Sequence, residues 1–427
     1  MSNPHGLKRV AILFAGGPAP AANAVIASAA YTFLNAGVEV LGVKHGYSNL
    51  IDFDPAKPLK ADEHYIPFTL EMLNMVRSSP GIVIGTARSN PGKQVSSPDH
   101  LRDSQRTAPL RRVYDALRSL GVDALISIGG DDTLKTANKM KLFQETLPEG
   151  DKRMPVIHLP KTIDNDYSGI DFTFGYFTAA EFLGIEIRNL NRDAAAGQTY
   201  YLCEAMGRAA GWLAYGAAIA GEAAIVLSVE DIQGELRGEE TTTDAATGKP
   251  KKRPIMNFDA VVDKVVDVMV AREKRGLNCG VIVMAEGLAE YLPNSQLEGI
   301  SRDDHGHISI ADVNLNRMMS KLIAAAYKKR TGKSRKITGL QLGYESRCTQ
   351  PNAFDIILGS QIGVGAYRAL YEEGLSGVMV SVGGQMDVRF VNFEELVDQN
   401  TLVTHVRFIK PGSDFHRMAR LLETGTE

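Results

Sequence analysis

The sequence is poor in cysteine and tryptophan, and neither sign of charge is in marked excess. Its 427 residues include one tryptophan and three cysteines, and Cys203, Cys279 and Cys348 lie far apart with no Cys-x-x-Cys pair and no cluster with histidines. An odd and sparse cysteine count of this kind excludes a disulfide framework and indicates a reducing compartment.

Long apolar runs are also missing from the sequence. No stretch approaches the roughly 18 consecutive apolar residues that a membrane-spanning helix requires, and no signal peptide is visible. The formal net charge of −3 argues against general binding to nucleic acids or to membrane surfaces. We therefore expect a cytoplasmic protein whose partners include neither nucleic acid nor a membrane.

Strand-like and helical segments alternate along the chain, which is typical of a mostly parallel sheet. Segments of helical period predict helices at 23–35, 111–120 and 132–141. The expected strands are 10–14, 39–43, 82–84, 124–128, 156–159, 199–205, 223–228, 279–285 and 337–342. A chain of this length, 44% hydrophobic, is large enough for two domains with their own cores. We expect two α/β halves with a cleft between them.

Two polar segments interrupt this alternation. Residues 234–254 are rich in threonine, glycine and charge, end in the basic run 249–254, and predict an exposed loop or insertion. We expect the basic run to be solvated, with phosphate binding as the alternative. Residues 301–309 include His305 and His307, whose spacing permits metal binding, but no carboxylate–cysteine frame surrounds them.

Two short motifs carry the chemistry. Residues 129–132 (GGDD) and 160–166 (PKTIDND) each follow an apolar run of strand length, and open α/β sheets bind ligands at the carboxyl ends of their strands. Paired glycines let the backbone approach a phosphate, and aspartates hold Mg²⁺ through oxygen. Four carboxylates in one crevice repel one another, so a metal ion or transferable protons must offset them. The motifs predict a phosphoryl-transfer site.

Asp131 is the candidate Mg²⁺ ligand, because the two glycines before it let its carboxylate meet a metal that bridges two phosphoryl groups. The alternative is an aspartate that caps the helix expected at 132–141. Both interpretations can hold for the pair, since one carboxylate of Asp131 and Asp132 can cap while the other faces the metal.

With these motifs, the sequence resembles the phosphofructokinase family, and more narrowly its pyrophosphate-dependent branch. Further matches follow in the family's order: GGPAPAAN at 16–23, GTAR at 85–88, MGR at 206–208, AEG at 285–287 and LGYESR at 342–347. A lone GGD also occurs in NAD kinases and lipid kinases. TIDND at this distance from GGDD, with MGR downstream, is highly specific.

The resemblance implies two Rossmann-like domains with mostly parallel sheets and an active site in the cleft between them. It places a phosphoryl-donor domain at 1–175 and about 346–396, and a sugar-phosphate domain at 176–345 and about 397–427. The implied reaction is reversible and belongs to glycolysis or gluconeogenesis. Pyrophosphate phosphorylates fructose 6-phosphate at the 1-hydroxyl, with Mg²⁺ as cofactor, to give fructose 1,6-bisphosphate and phosphate. A homodimer or homotetramer is expected.

The same resemblance implies a role for each motif residue. Asp164 resembles the family's general base, which accepts the proton of the sugar hydroxyl. Arg88 and Arg208 would neutralise the transferring group, and Gly16 and Gly17 would form a turn that phosphate approaches closely. The implied catalytic residues are Asp164, Arg208 and Thr162. The residues expected to hold the sugar phosphate are Thr162, Asp164, Asp166, Met206, Gly207, Arg208, Glu286, Tyr344 and Arg347.

Two positions predict the phosphoryl donor. ATP-dependent members of the family carry glycine where this sequence has Asp132, and commonly glycine where it has Lys161. Asp132 places volume and negative charge where the α-phosphate of a nucleotide would lie, a clash that pyrophosphate escapes. Lys161 offers a compact cation to a small anion, unless it is a solvent-facing lysine of a loop. Together the two residues favour pyrophosphate.

Other positions depart from the family's pattern. Thr199 stands where many members carry an arginine, and Lys336 or Arg335 is a candidate substitute. In allosteric bacterial members, arginines at the places of Ala27 and Tyr31 receive effector phosphates. Since neither side chain here is cationic, we expect hyperbolic kinetics without response to those effectors.

Three alternatives remain open. An ATP-dependent phosphofructokinase could tolerate Asp132, and a related sugar phosphate such as sedoheptulose 7-phosphate could be the acceptor. A non-catalytic sugar-phosphate sensor or assembly subunit on the same fold is the third. That last alternative predicts loss of the base or the metal ligand, whereas Asp131, Asp164 and Arg208 are all present.

Overall fold

The computed structural model describes residues 5–243, 249–300 and 310–426. Strands in these ranges build sheets of seven, four and two strands. The strands are β1 (Arg9–Ala15), β2 (Glu39–Val43), β3 (Tyr65–Pro67), β4 (Ala124–Gly129), β5 (Val156–Pro160), β6 (Tyr200–Ala205), β7 (Ile225–Leu227), β8 (Arg237–Thr243), β9 (Pro250–Met256), β10 (Gly280–Ala285), β11 (Ile337–Leu342), β12 (Val378–Gly383) and β13 (Asp387–Asn392).

Helices connect most of these strands. The α-helices are α1 (Ala22–Asn35), α2 (Ser48–Ile51), α3 (Ser104–Ser119), α4 (Asp131–Glu145), α5 (Tyr176–Gly197), α6 (Trp212–Gly221), α7 (Phe258–Lys274), α8 (Asn294–Leu297), α9 (Ile310–Val313), α10 (Leu315–Thr331), α11 (Ala353–Tyr367), α12 (Phe393–Leu396) and α13 (Asp414–Leu422). Short 3₁₀ turns include Glu286–Tyr291 and Tyr344–Cys348. Within the described ranges, no helix is long and apolar enough to cross a membrane.

The chain divides by its contacts into two compact units. Unit 1 comprises Met1–Thr178 and Ser346–Val406, and unit 2 comprises Ala179–Glu345 and Arg407–Glu427. The first division falls inside α5 and the last follows Val406, whereas the boundaries expected from the sequence fall after 175 and after 396. The roles expected for the two domains remain predictions.

Unit 1 is built on the seven-stranded sheet, with the order β13-β12-β5-β4-β1-β2-β3. Its inner strands are parallel, and the edge strands β3 and β13 are antiparallel to their neighbours. All six residues of β4 are buried, as expected for a strand covered on both faces. The apolar run before GGDD is therefore a central strand.

Unit 2 is built on a parallel four-stranded sheet with the order β11-β6-β10-β7. Valines of α7 and mixed apolar residues of α10 pack on it to form an apolar core. At the edge strand β7, the backbone N–H of Val226 donates to Glu423 (2.6 Å), and the N–H of Thr424 donates to the carbonyl of Ala224 (3.1 Å). Two mostly parallel sheets with helices confirm the expected α/β class.

One expected strand is absent from the described structure. Residues 82–84 form a turn closed by a 2.9 Å hydrogen bond from the Gly85 N–H to the Ile82 carbonyl. Ile84 is nevertheless buried. A Cβ added to Gly42 of β2 would lie only 2.6 Å from a methyl carbon of Ile84, so the two residues are in close contact. The apolar character of this segment reflects packing onto β2 and not strand pairing.

The loop expected at 234–254 is instead a hairpin. β8 and β9 pair antiparallel from Arg237 opposite Met256 onward, because threonine suits a strand and opposite charges face each other across the pair. Lys252 contacts Glu239 and Arg253 contacts Glu240, each at 3.0 Å. Much of the basic run is thus paired within the hairpin.

His305 and His307, the histidine pair whose spacing permits metal binding, lie outside the described residues.

Candidate active site

Three strand ends of unit 1 meet at one edge of the seven-stranded sheet. β1, β4 and β5 are neighbours in register, so the residues that follow them, Gly16, Gly130 and Lys161, are brought together. A methyl group on Gly16 would lie 3.8 Å from Nζ of Lys161 and 3.9 Å from the Gly130 nitrogen. Gly16 has a φ of 90°, a conformation that favours glycine. We call these three residues the anion cradle, because an ammonium and a helix N-terminus suit a phosphate-type anion.

Lys161 is buried, with 7% of its surface exposed. The solvent-facing alternative for this lysine is therefore wrong. Burial lowers the pKa of Lys161 to about 8, and the nearby guanidinium groups of Arg347 and Arg88 act in the same direction. The carboxylates of Asp164 and Asp166 act to raise it. Five of the expected site residues thus share one electrostatic environment in unit 1.

The loop that carries Arg88 is fixed to the anion cradle. The Thr86 hydroxyl donates to the Gly16 carbonyl at 2.7 Å, and the Gly16 N–H donates to the Ala87 carbonyl at 2.9 Å. Arg88 is the next residue along the chain. Gly17, the second glycine of the turn, leaves open space where a Cβ would lie.

Helix α4 holds the other end of this loop through two residues that no sequence motif indicates, Thr136 and Lys139. The Thr136 hydroxyl donates to the side chain of Asn90 at 2.9 Å, and the Lys139 ammonium donates to the Gly92 carbonyl at 3.0 Å. Burial lowers the pKa of Lys139 to about 8. Thr136 and Lys139 lie one helical turn apart on α4. In the sequence, a threonine and a lysine at this spacing do not distinguish a loop anchor from ordinary helix residues.

Asp131 and Asp132 are the first two residues of α4. Gly130 occupies the cap position without a side-chain hydrogen bond, so the helix-capping alternative for Asp131 is wrong. Lys135 lies 2.7 Å from Oδ2 of Asp131 and 2.9 Å from Oδ1 of Asp132. The hydroxyl of Thr404 donates to Oδ1 of Asp131. Neither Lys135 nor Thr404 was found from the sequence, because Thr404 is distant in the chain and Lys135 resembles an ordinary helix-surface lysine.

The donor set at this helix start fits Mg²⁺. The side chains of Asp131 and Asp132 are about half exposed, at 47% and 51%. Across the described ranges, no group of three or more histidine, cysteine, aspartate or glutamate side chains forms a ready-made metal cage. Mg²⁺ is commonly held by one or two carboxylates together with substrate phosphates, and that is the arrangement these residues permit.

The TIDND loop is held by its own polar side chains. The Asp164 N–H donates to the Thr162 hydroxyl at 3.0 Å, and the Thr173 hydroxyl donates to the Thr162 carbonyl at 2.7 Å. Asn165 has a φ of 53° and accepts a 3.0 Å hydrogen bond from the Thr173 N–H. These contacts fix the backbone on both sides of the expected base.

Asp166 has a strongly shifted pKa. Burial raises the pKa of Asp166 to about 7, and the like charges of Asp164 and Asp131 add to the rise. The charged form is disfavoured because it is both desolvated and repelled. Asp166 therefore titrates near neutral pH.

A buried brace joins the two motifs. The Tyr167 hydroxyl donates to the Gly129 carbonyl at 3.1 Å and lies 3.0 Å from Nε2 of His158. Since its proton goes to the carbonyl, this hydroxyl must accept from His158, which places the imidazole proton on Nε2. The Lys161 N–H donates to the same carbonyl at 2.9 Å. Neither ring was identified from the sequence, because His158 lies within the expected strand 156–159 and Tyr167 follows the second motif without a pattern of its own.

Unit 2 gathers the residues expected at the sugar. The Gly207 N–H donates to Oε1 of Glu286 at 3.1 Å. A Cβ on Gly343 would lie 2.2 Å from Cγ of Met206, so glycine is required for this close approach. Tyr344 follows Gly343 and is 55% exposed. Met206, Gly207, Glu286 and Tyr344 are thus close to one another within this unit.

Arg208 follows in the same loop, which packs against Gly287 and is bonded to Glu230. A Cβ on Gly287 would lie 2.2 Å from the Arg208 carbonyl oxygen. The buried carboxylate of Glu230 accepts hydrogen bonds from the Gly211 N–H at 3.1 Å and from the Ser228 hydroxyl at 2.7 Å. Glu230 was not found from the sequence, since nothing in the surrounding letters distinguishes it.

The candidate replacements for the family arginine at Thr199 have different surroundings. The Arg335 guanidinium donates to Asn278 at 2.9 Å and lies 3.9 Å from Glu273. The backbone carbonyl of Lys336 accepts a hydrogen bond from the Tyr200 N–H at 2.9 Å. Both substitutes for the family arginine therefore stay predictions.

Comparisons with known proteins agree with this architecture. A family model described as Phosphofructokinase matches residues 9–370. A Naegleria fowleri protein named pyrophosphate--fructose 6-phosphate 1-phosphotransferase is 31% identical over 98% of this chain and 88% of its own length. A Corynebacterium efficiens protein named ATP-dependent 6-phosphofructokinase is 29% identical over 92% of this chain and 94% of its own. The chain belongs to the phosphofructokinase family.

A solved structure has a similar fold. It is described as a pyrophosphate-dependent phosphofructokinase from Nitrosospira multiformis, and it superposes with a TM-score of 0.67 at 15% identity. The superposition covers 98% of this chain and 93% of that one. The expected phosphofructokinase fold is confirmed.

Proposed function

We propose that this chain catalyses the reversible transfer of a phosphoryl group from pyrophosphate to the 1-hydroxyl of fructose 6-phosphate, giving fructose 1,6-bisphosphate and phosphate. The observation that carries the proposal is the buried Lys161 in the anion cradle, with Asp132 at the start of the adjoining helix. Several relatives named for this reaction support it.

The donor is bound by unit 1 in this proposal. Lys161 and the Gly130 N–H suit the oxygens of a small anion, while Gly16 and Gly17 permit close approach of phosphate. Arg88 neutralises charge on the transferring group. Pyrophosphate satisfies these donors without an extension toward the carboxylate of Asp132.

Mg²⁺ would be held by Asp131. When bound, it supplies positive charge to the phosphoryl oxygens and so favours attack by a neutral hydroxyl. The protein's own task is to present the carboxylate at the first turn of α4, where the Thr404 hydroxyl orients it.

Asp164 is the proposed general base. Its backbone N–H is held by the Thr162 hydroxyl, so its carboxylate is presented from a fixed loop. It accepts the proton of the sugar hydroxyl as the new bond to phosphorus forms. Asp166, which titrates near neutral pH, is suited to orient the substrate by donating or accepting a hydrogen bond. Thr162 would donate to a phosphoryl oxygen or to the sugar.

The remaining residues bind the acceptor in this proposal. Met206, Gly207 and Glu286 would contact the sugar, with Glu286 already oriented by the Gly207 N–H. Tyr344 and Arg347 would bind the 6-phosphate, and Arg208 would neutralise the group in transfer.

A coupled assay with each donor in turn tests the proposal. We expect turnover of fructose 6-phosphate with pyrophosphate and none with ATP, and sedoheptulose 7-phosphate should be compared as acceptor. Replacing Asp132 and Lys161 together with glycine should raise the use of ATP relative to pyrophosphate. Comparable kcat/KM with ATP in the unaltered protein would contradict the donor assignment. Binding of fructose 6-phosphate without turnover by either donor would favour the non-catalytic alternative.

An ATP-dependent enzyme is the second candidate, and one contact favours it. The Asp132 carboxylate is paired with Lys135 at 2.9 Å, which reduces the charge repulsion against a nucleotide. Relatives named for ATP occur at similar identity. The donor assay decides between the two.

A further inference from the structure

Lys135 connects the two carboxylates at the start of α4. It lies three residues after Asp132 and four after Asp131, and its ammonium is within 2.9 Å of both carboxylates. Only 23% of its side chain is exposed. Burial acts to lower the pKa of Lys135, but the two carboxylates outweigh it and raise the pKa above its ordinary value. The ammonium of Lys135 is therefore charged.

Both oxygens of Asp131 are engaged in this arrangement. Oδ2 contacts Lys135 and Oδ1 accepts from the Thr404 hydroxyl. A cation that binds Asp131 on the side of Oδ2 that Lys135 occupies must compete with its ammonium. The flexible four-carbon stem of lysine allows the ammonium to move to another partner.

The anion cradle adjoins these carboxylates along the chain. Gly130, which belongs to the cradle, directly precedes Asp131. The carboxylates that Lys135 contacts therefore begin at the residue after the cradle. Lys139, one turn further, donates instead to the Gly92 carbonyl, so Lys135 is the α4 lysine placed for this exchange.

We propose that Lys135 exchanges partners during donor binding and is a pyrophosphate-binding residue; this inference rests on the function proposed above. In the donor-free protein, Lys135 neutralises Asp131 and Asp132. It yields these carboxylates to the divalent cation and pairs its ammonium with an oxygen of pyrophosphate. No bond is made or broken in this step, because one ion pair replaces another.

The competing explanation is a helix-surface ion pair without function. Acid–lysine pairs three or four residues apart are common and contribute little to stability. If Lys135 forms only such a pair, its removal would leave the affinities for metal and for anion unchanged. If it exchanges partners, its removal changes the two affinities in opposite directions. Metal binding should become tighter without Lys135, because a competing cation is lost, and anion binding should become weaker.

Two equilibrium measurements on Lys135→Met test the inference without turnover. Binding of Mn²⁺ alone is followed by electron paramagnetic resonance, and binding of pyrophosphate by calorimetry at saturating Mn²⁺ without sugar phosphate. We expect the affinity for Mn²⁺ to rise about 3- to 10-fold and that for pyrophosphate to fall about 10-fold or more. Lys135→Arg should retain most of the pyrophosphate affinity.

Lys141→Met is the matched control. Lys141 lies on the same helix, has 24% of its side chain exposed, and also contacts two carboxylates, those of Glu145 and Glu394. Its loss should change neither affinity. Unchanged pyrophosphate binding in Lys135→Met, or weaker binding of both ligands, would overturn the inference.

The test separates this inference from the proposed function. If the donor assay fails but the two affinities of Lys135→Met move in opposite directions, the assignment of Lys135 holds and the reaction is wrong. If pyrophosphate supports turnover and the affinities do not move apart, the reaction holds and Lys135 has no part in donor binding.

Discussion

Tyr167 fixes two loops with one hydroxyl. It accepts from His158 and donates to Gly129, the residue before Gly130 and the acidic pair. A carbonyl held by both Tyr167 and the Lys161 N–H sets the path of both motifs at once. Small displacements of positioned groups cost large factors in rate. We therefore regard Tyr167 as a positioning residue, distinct from the groups that contact substrate.

Tyr167→Phe should lower kcat about 10-fold while changing the KM for fructose 6-phosphate little. It should also lower stability by about 1–3 kcal/mol, because the buried Nε2 of His158 loses its hydrogen-bond partner and the Gly129 carbonyl loses one of its donors. Tyr114→Phe is the control, since the Tyr114 hydroxyl donates to the Lys152 carbonyl at 2.7 Å away from the motifs. Steady-state kinetics and thermal melts of both variants provide the measurement. An equal fall in kcat in the two variants would mean that only stability is affected.

Asp164→Asn tests the proposed base. The amide preserves the shape of the side chain but cannot accept the proton, so kcat should fall by about 10²–10⁴-fold, with a smaller change in the KM for the sugar. Kinetics with pyrophosphate at saturating Mg²⁺ measure this. Near-normal kcat would assign the role to another residue, with Asp166 the first to examine.

His158 makes the fold sensitive to acid. Burial lowers the pKa of His158 to about 3 in the folded chain, against about 6.5 for an unfolded histidine. Between these values the unfolded chain binds more protons than the folded one, so stability falls as pH drops below about 6.5. The loss reaches about 2 kcal/mol at pH 5.

Urea unfolding at pH 7 and pH 5 should show this slope in the unaltered chain. His158→Phe, which cannot titrate, should lose about 2 kcal/mol less between the two pH values. Equal losses in both proteins would mean that His158 is not the acid-sensitive group.

At the scale of elements, the β8–β9 hairpin stabilises a site segment of unit 2. The Arg253 guanidinium donates to the carbonyl of Glu290 at 3.0 Å and to that of Leu292 at 2.5 Å, and it also contacts Glu240. These carbonyls lie at and just beyond the end of the Glu286–Tyr291 turn, which begins with the expected sugar ligand. The basic run is thus a structural clamp on that turn.

Arg253→Met should raise the KM for fructose 6-phosphate about 3- to 10-fold, with less effect on the KM for pyrophosphate, because the clamp acts on the sugar segment alone. Lys252→Met is the control, since Lys252 is an exposed neighbour that pairs with Glu239 within the hairpin. Initial-rate kinetics of both variants are sufficient. A rise in both KM values would place the effect on general stability.

At the scale of the whole molecule, the sequence predicted the alternating strands and both motifs because buried parallel strands are continuous apolar runs that end at ligand-binding loops. It missed the hairpin because threonine, lysine and glutamate are equally typical of exposed loops. Thr404 and Tyr167 escaped notice since their roles arise from contacts with residues far along the chain. Such contacts leave no local pattern in the sequence.

Regulation is a property of the whole molecule, and we expect none of the nucleotide or phosphoenolpyruvate type. Ala27 is buried and Tyr31 is 53% exposed, and neither offers a cation to an effector phosphate. Rates against fructose 6-phosphate should be hyperbolic and unaffected by millimolar ADP or phosphoenolpyruvate. A sigmoidal curve that ADP makes hyperbolic would show an effector site elsewhere.

The concentration of chemistry at the start of α4 has an evolutionary consequence. Within nine residues, from Asp131 to Lys139, this helix supplies an acidic pair, its counter-cation and two anchors of the Arg88 loop. If Asp132 in this helix and Lys161 after β5 set the donor, as proposed above, a few point mutations at the two motifs would suffice to alter donor preference while the rest of the chain diverged independently. Overall identity is then a weak guide to the donor, and relatives named for pyrophosphate and for ATP do occur at 31% and 29% identity.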